Sequence, residues 1–203
     1  QSCLFSLSNV AIQSAINAYG SVVIAGCSAA SSIEGFIYVA MNSFHQAAQT
    51  FMSQNIGAGK YERIRGILKR CILCTVVTGA VLSALSLLLN EPLLRIYNED
   101  PLVIAAGGVH LYMVATLYFI FGIADVLIGA IRGCGSPVAP VVINLLCTCA
   151  LRLLWVAVID TSTMSVGLVY ASYPTSWLLL LIVLTLCWHR LYRKQILPHI
   201  ADV

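Results

Sequence analysis

The sequence predicts an all-α integral membrane protein, a bundle of six transmembrane helices. Three observations predict it. Hydrophobic residues make up 60% of the chain and charged residues only 9%, against about 25% charged in soluble domains, so the charged residues cannot cover a water-facing surface. Apolar stretches of roughly 20 residues or more recur in series, each long enough as a helix to cross a hydrocarbon layer about 30 Å thick. The basic residues fall in alternate loops, the positive-inside pattern. A net charge of +3 does not point to nucleic acid as a partner.

The spans are expected over residues 1–19, 31–54, 71–89, 102–131, 138–159 and 164–188, within one domain covering 1–203. In the first, Asn9, Gln13 and Asn17 recur at fourfold spacing. That spacing places their amides on one stripe facing other helices or a wet cavity. The second is the most polar, carrying Glu34, Asn42, His45, Gln46, Gln49 and Gln54, and one of its sides is expected to line a cavity. The glycine-bearing turn 55–59 ends it, and the basic run Lys60 to Arg70 opens the third. Between the third and fourth lie a short amphipathic piece, Leu93 to Tyr97, and the acidic loop 98–101. The fourth span is long enough to tilt or bend, with Gly107, Gly108 and Gly122 as the expected flexible points. The fifth contains Asn144 and Arg152, and the sixth contains Pro174.

Strict alternation puts loops 55–70 and 132–137 and the basic C-terminus on the cytoplasmic face. Glu91, Arg95, Glu99, Asp100 and Asp160 then lie opposite. The sequence opens at Gln1 inside an apolar stretch, which reads as a fragment of a longer protein. Of the eight cysteines, most sit in apolar runs as small hydrophobes. Cys71 and Cys74 form a CxxC, but no second CxxC or His pair accompanies it, so no metal site is expected.

The run from Phe44 to Arg63, FHQAAQTFMSQNIGAGKYER, resembles the signature of multidrug and toxic compound extrusion (MATE) transporters. Residues 131–137, IRGCGSP, are similar to the loop between the fourth and fifth helices of the same lobe in that family. The resemblance spans essentially the whole chain. It implies the C-terminal six-helix lobe of a two-lobe transporter, with transport through the cleft shared with a missing N-terminal lobe. It further implies a bacterial cell membrane and export of organic, often cationic compounds in exchange for protons or sodium ions, with no cofactor. The motif residues Gln54, Asn55, Gly57, Gly59, Arg132, Gly133 and Gly135 are then expected to shape moving loops. Many members carry an acid in the helix that opens this lobe, whereas the stretch Ser2 to Asn9 has none.

An intramembrane carboxylate is a functional candidate by default. Asp125 and Glu34 are therefore the ion-coupling candidates. Glu34 is also open to a simpler reading as a first-turn acid at the outer start of its helix. Asn9, Gln13, Asn42, Gln46 and Gln49 are candidates to line a substrate cavity or to bond helices together. His45 reads as a packed polar residue, since no acid lies near it in sequence. Arg152 must find a partner inside the span, and Asp125 is the expected one. The rivals are a lipid-linked oligosaccharide or lipid flippase, for which Arg152 is the available cavity cation, a membrane-embedded enzyme and a structural membrane subunit. No HExxH, DxxxD or Ser/His pattern supports an enzyme.

Overall fold

The computed structural model describes residue 10 and residues 12–158 and 165–201, and every described element is helical. After a helical run at 12–17 come α1 (Ser21–Gly57), α2 (Ile64–Leu88), the short α3 (Asn90–Arg95), α4 (Pro101–Ala115) and α5 (Tyr118–Gly133). Then α6 (Val138–Asn144) passes through a π-helical turn, Leu145–Ala150, into α7 (Leu151–Val158). The chain closes with α8 (Val166–Tyr170), α9 (Ser172–Leu191), a second π-helical turn and α10 (Leu197–Ala201). Four helical stretches among these residues are long and apolar enough to cross a membrane, or five if the bent pair α4–α5 counts as one span. Most of the expected first span lies outside the described residues.

The spine of the bundle is α1. It starts ten residues before the expected boundary at 31 and runs for 37 residues, about 55 Å at 1.5 Å per residue. Its buried edge is Gly26, Ala30, Ile33, Ile37, Met41, His45, Ala48 and Met52, spaced at three or four as a helical face requires. Beside it runs α5, with Gly122 at Met41, Gly129 at His45 and Gly133 at Gln49 and Met52. Both numbers rise together, so the two helices are parallel and end at the same end of the bundle. The contact is a small-residue one: a methyl group on Gly133 would sit 2.5 Å from the Gln49 carbonyl, and one on Gly129 would strike the His45 carbonyl. Lipid tails are as apolar as leucine, so close backbone approach of this kind is what binds helices in a membrane.

α2 is built inside out. It buries Cys71, Thr75, Gly79, Ser83 and Ser86 against the bundle and exposes Leu73, Val77, Val81, Leu85 and Leu88. Such a face suits acyl chains rather than water.

The fourth expected span is broken. α4 and α5 meet at 48° across Thr116–Leu117, away from the glycines expected to flex. Gly107 is packed against Gly26 and Leu94, and Gly122 against Met41 and Thr75, so these two serve close packing. The break coincides with the Thr116 hydroxyl donating back to the Tyr112 carbonyl, a bond that bends helices. Pro174 lies in the first turn of α9, where a missing N–H costs nothing.

The main core joins the last turns of α1 and α5 to α9 through Met52, Ile64, Ile131, Leu184 and Trp188, and Tyr61 stacks on His199 at 4.5 Å. The turns after α1 and α5 and the C-terminal helix therefore share one end. Of the eleven Lys and Arg residues, only Arg95 and Arg152 lie elsewhere. The expected Asp160 on the opposite side is outside the described residues.

Candidate functional site

Glu34 on α1 and Asp125 on α5 both lie in the bundle interior, and each meets an imidazole there. Because α1 begins at Ser21, Glu34 lies more than three turns inside it, and the first turn holds no acid. That corrects the reading of Glu34 as a first-turn acid. Its Oε1 comes within 2.9 Å of His110 Nε2 on α4, off the line of a well-formed hydrogen bond. His110 is buried, its Nδ1 lies 3.4 Å from Cys27 Sγ, and Tyr170 packs edge-on to the ring at 4.4 Å. The arrangement is a Cys27–His110–Glu34 chain spanning α1 and α4.

Asp125 on α5 faces His45 on α1. His45 Nδ1 is 3.0 Å from Asp125 Oδ1 and 2.8 Å from its backbone carbonyl, while Asn42 Nδ2 donates to Asp125 Oδ2 at 3.4 Å. The carboxylate is 13% exposed and the imidazole 6%. Both ring and acid are thus held away from bulk solvent, where a charge needs a partner. His45 and Asp125 are eighty residues apart in sequence, and only the parallel packing of α1 on α5 joins them. The acid that the sequence around His45 lacks is thus supplied by α5.

The expected Asp125–Arg152 pair is not formed. Arg152, 2% exposed, donates from Nε to Ser176 Oγ at 3.2 Å, and its guanidinium lies 4.3 Å over the Tyr173 ring. A hydroxyl and an aromatic face from α9 hold this cation, one helix away from the acid that sequence depth suggested. The π-helical turn just before it shifts the register of α7 and so sets which way Arg152 points.

The amide candidates divide. Asn42 is bound into the Asp125 site and also lies 3.4 Å from Tyr38 Oη. Gln46 is exposed and Gln49 half-buried. Gln13 is exposed and donates to Asn17 Oδ1 at 3.2 Å, and Asn9 lies outside the described residues. Gln46 belongs to a longer pattern: Ser28, Ser32, Gly35, Val39, Ser43, Gln46, Thr50 and Ser53 are all exposed and follow one helical edge of α1. Seven of these eight carry a polar side chain or none, in contrast with the leucine and valine face that α2 exposes.

The two loop motifs fold into the same cap. After α1, Lys60 N bonds the Asn55 carbonyl at 2.8 Å and Gly59 N the Ile56 carbonyl at 3.0 Å, with Gly59 at φ +69°. After α5, Ser136 N bonds the Ile131 carbonyl at 3.2 Å and Gly135 N the Arg132 carbonyl at 3.0 Å, with Gly135 at φ +85°. Both are Schellman caps, which need a left-handed residue at the first position past the helix and therefore favour glycine. Gly57 and Gly133 are the last helical residues of α1 and α5. Asn55 turns its own amide back to the Phe51 carbonyl at 2.8 Å, and Gln54 is exposed.

His110, Cys27, Ser176 and Tyr173 were missed by the sequence reading. His110 carried a usable signal, being an ionisable residue within an apolar span. So did the Gly129-Ala130-Ile131-Arg132-Gly133 run, a GxxxG pattern.

A helical bundle with apolar flanks, small-residue helix contacts and buried acid–imidazole pairs defines a multi-pass membrane protein. The family model described as MatE matches residues 1–158. The chain belongs to that family. Among curated relatives it resembles the probable multidrug resistance protein YoeA of Bacillus subtilis, 27% identical over 146 residues, or 70% of this chain and 31% of the relative. It also resembles the probable multidrug resistance protein YpnP of the same organism, 26% identical over 143 residues, or 70% and 32%. The probable multidrug resistance protein NorM of Chromobacterium violaceum is 29% identical over 126 residues, or 62% and 27%. The match spans about a third or less of the length of these relatives.

Proposed function

We propose that this chain is one six-helix lobe of a secondary multidrug antiporter, the C-terminal one, and that it works with a second lobe across a shared cleft. Organic, often cationic compounds leave as coupling ions enter. The observation that carries the reading is the dual character of α1. One of its edges is an exposed polar stripe running past Gln46, and its buried edge meets two carboxylate–imidazole pairs. Membrane helices carry such groups at a cost that substrate and ion pathways account for. Each carboxylate faces an imidazole nitrogen, which favours protons over sodium as the coupling ion, since a hard cation is better held by a cage of oxygens. Asp125 and Glu34 are the proton acceptors in this reading, and His45 and His110 their partners. The loops after α1 and α5 and the C-terminus face the cytoplasm of a bacterial cell.

The flippase alternative rests on a cavity cation to hold pyrophosphate, and Arg152 is buried under Tyr173 and Ser176, which weighs against it.

The test is efflux of a fluorescent organic cation from vesicles carrying the full-length protein, driven by an imposed proton or sodium gradient. Proton-driven efflux is expected, with Asp125→Asn lowering it at least about tenfold, a loss of about 1.4 kcal/mol or more in the coupled step. Efflux unaffected by Asp125→Asn and Glu34→Gln together defeats the coupling assignment. Movement of a lipid-linked sugar with no cation efflux defeats the antiporter reading.

A further inference from the structure

A cavity of about 680 Å³ opens between α1 and α2 near the basic end, lined among others by Phe44, Ala47, Phe51, Arg63, Arg70 and Cys74. Its size falls within the roughly 300–1,000 Å³ of ligand sites. Neither the acid–imidazole pairs nor the polar stripe touches it. At about 100° per residue, its α1 wall is centred about a third of a turn around the helix from the Ser43, Gln46 and Thr50 edge. It therefore lies beside, and not on, the surface that the transport reading gives to the cleft.

Its α2 wall shows what it faces. Arg63, Arg70, Cys74, Val77, Val81, Leu85 and Leu88 follow one another at steps of seven, four, three, four, four and three, a single stripe on one side of the helix. The stripe is exposed along its length. It is cationic at the basic end of the bundle and apolar beyond it. Lys60, Arg65 and Lys69, all exposed, add charge at the same end. Glu62, 3.9 Å from Arg63 Nε and as exposed as Arg63 itself, is the acid nearest this rim.

From this the geometry points to a binding site for an anionic phospholipid of the leaflet at the basic end. The phosphate group lies between Arg63 and Arg70, one acyl chain fills the cavity between Phe44, Phe51 and Cys74, and the other runs along Val77 and Val81. Charge complementarity selects the headgroup, since guanidinium groups bind phosphate oxygens through paired N–H donors, and basic pockets between membrane helices hold such lipids. The exposed apolar stripe supplies the chain path. The site depends on the membrane placement of the chain and not on the transport reading.

The experiment uses the full-length protein in phosphatidylcholine bilayer discs doped with photoreactive phosphatidylglycerol or photoreactive phosphatidylcholine, and labelled positions are mapped by peptide mass spectrometry. The expected result is labelling within 44–55 and 66–77 that is about thirtyfold stronger for phosphatidylglycerol, the ratio expected from two cationic contacts at a membrane surface. The Arg63→Gln/Arg70→Gln variant should bring it down to the phosphatidylcholine level. A side chain at Gly66 meets open space, so Gly66→Trp can fill the cavity without disturbing the fold and should remove the labelling for both lipids. Excess inorganic phosphate should leave labelling unchanged. Equal labelling by the two lipids overturns the proposal, as does full competition by free phosphate or labelling that survives Gly66→Trp. Cross-linking of Cys74 to another segment of the same protein, in place of lipid, shows that protein fills the groove and overturns it as well.

Discussion

The two oxygens of Asp125 are divided between partners, Oδ1 against His45 and Oδ2 against Asn42. Removing one of them leaves a buried polar group short of a bond, at a cost of about 1–3 kcal/mol. His45→Leu is accordingly expected to lower resistance to unfolding in a denaturing-detergent titration by that amount, and Asn42→Leu by less, since its 3.4 Å contact is long. Arg152 behaves independently of Asp125. Arg152→Met should impair the protein with no rescue by Asp125→Asn, whereas Ser176→Ala alone should cost about 1 kcal/mol. Rescue in the double variant would restore the pairing that depth in the sequence suggests. The presence of the ionisable groups was legible in the sequence, because each is conspicuous against an apolar span. Their pairing was not, because His45 meets Asp125 and Glu34 meets His110 only through the register in which α1 lies along α4 and α5.

Helix α5 is held to α1 through Gly129 and Gly133, one turn apart. Gly129→Leu or Gly133→Leu drives a side chain into backbone carbonyls and should destabilise the bundle by at least about 2 kcal/mol. Gly66→Leu, facing open space, serves as the control that leaves thermal unfolding unchanged. The bend between α4 and α5 is a separate element-level feature. With Thr116→Val its hydroxyl no longer returns to the Tyr112 carbonyl, and spin labels at Leu102 and Val138 should report an altered separation. The sequence located this span and its capacity to bend, but it assigned the flexibility to glycines. Glycine in a membrane helix serves close packing as readily as bending, and the packed partners of Gly107 and Gly122 come from α1, α2 and α3, out of sight of any local pattern. The C-terminal ends of α1 and α5 were the most legible features, since a Schellman cap is written in a few consecutive residues.

At the scale of the molecule, two kinds of exposed surface coexist. The Ser43, Gln46 and Thr50 edge of α1 is polar, while the Val77, Val81 and Leu85 face of α2 is apolar. Single cysteines at the first set, in a background freed of native cysteines, should react with a water-soluble maleimide in the membrane-embedded full-length protein. Those at the second set should not, and the reverse pattern would place the cleft on the wrong side of the bundle. The same background allows sidedness to be read, with Lys60→Cys and Gly135→Cys expected to be protected in sealed right-side-out cells and labelled in inverted vesicles. The distribution of basic residues made this end of the bundle readable from sequence alone. Which helical edge meets water was less so, because the stripe is formed largely by serine and threonine, residues that lipid-facing helices also accept when the hydroxyl returns to its own backbone, as Ser32 and Ser43 do. The placement of the two acid–imidazole pairs has a mechanical side. They lie about 16 Å apart along one unbroken rod, given the eleven-residue step from Glu34 to His45, yet their partners sit on opposite arms of an elbow, His110 before Thr116 and Asp125 after it. A rod pinned to both arms fixes the elbow's angle, so any opening or straightening of that joint must release one pin while the other holds.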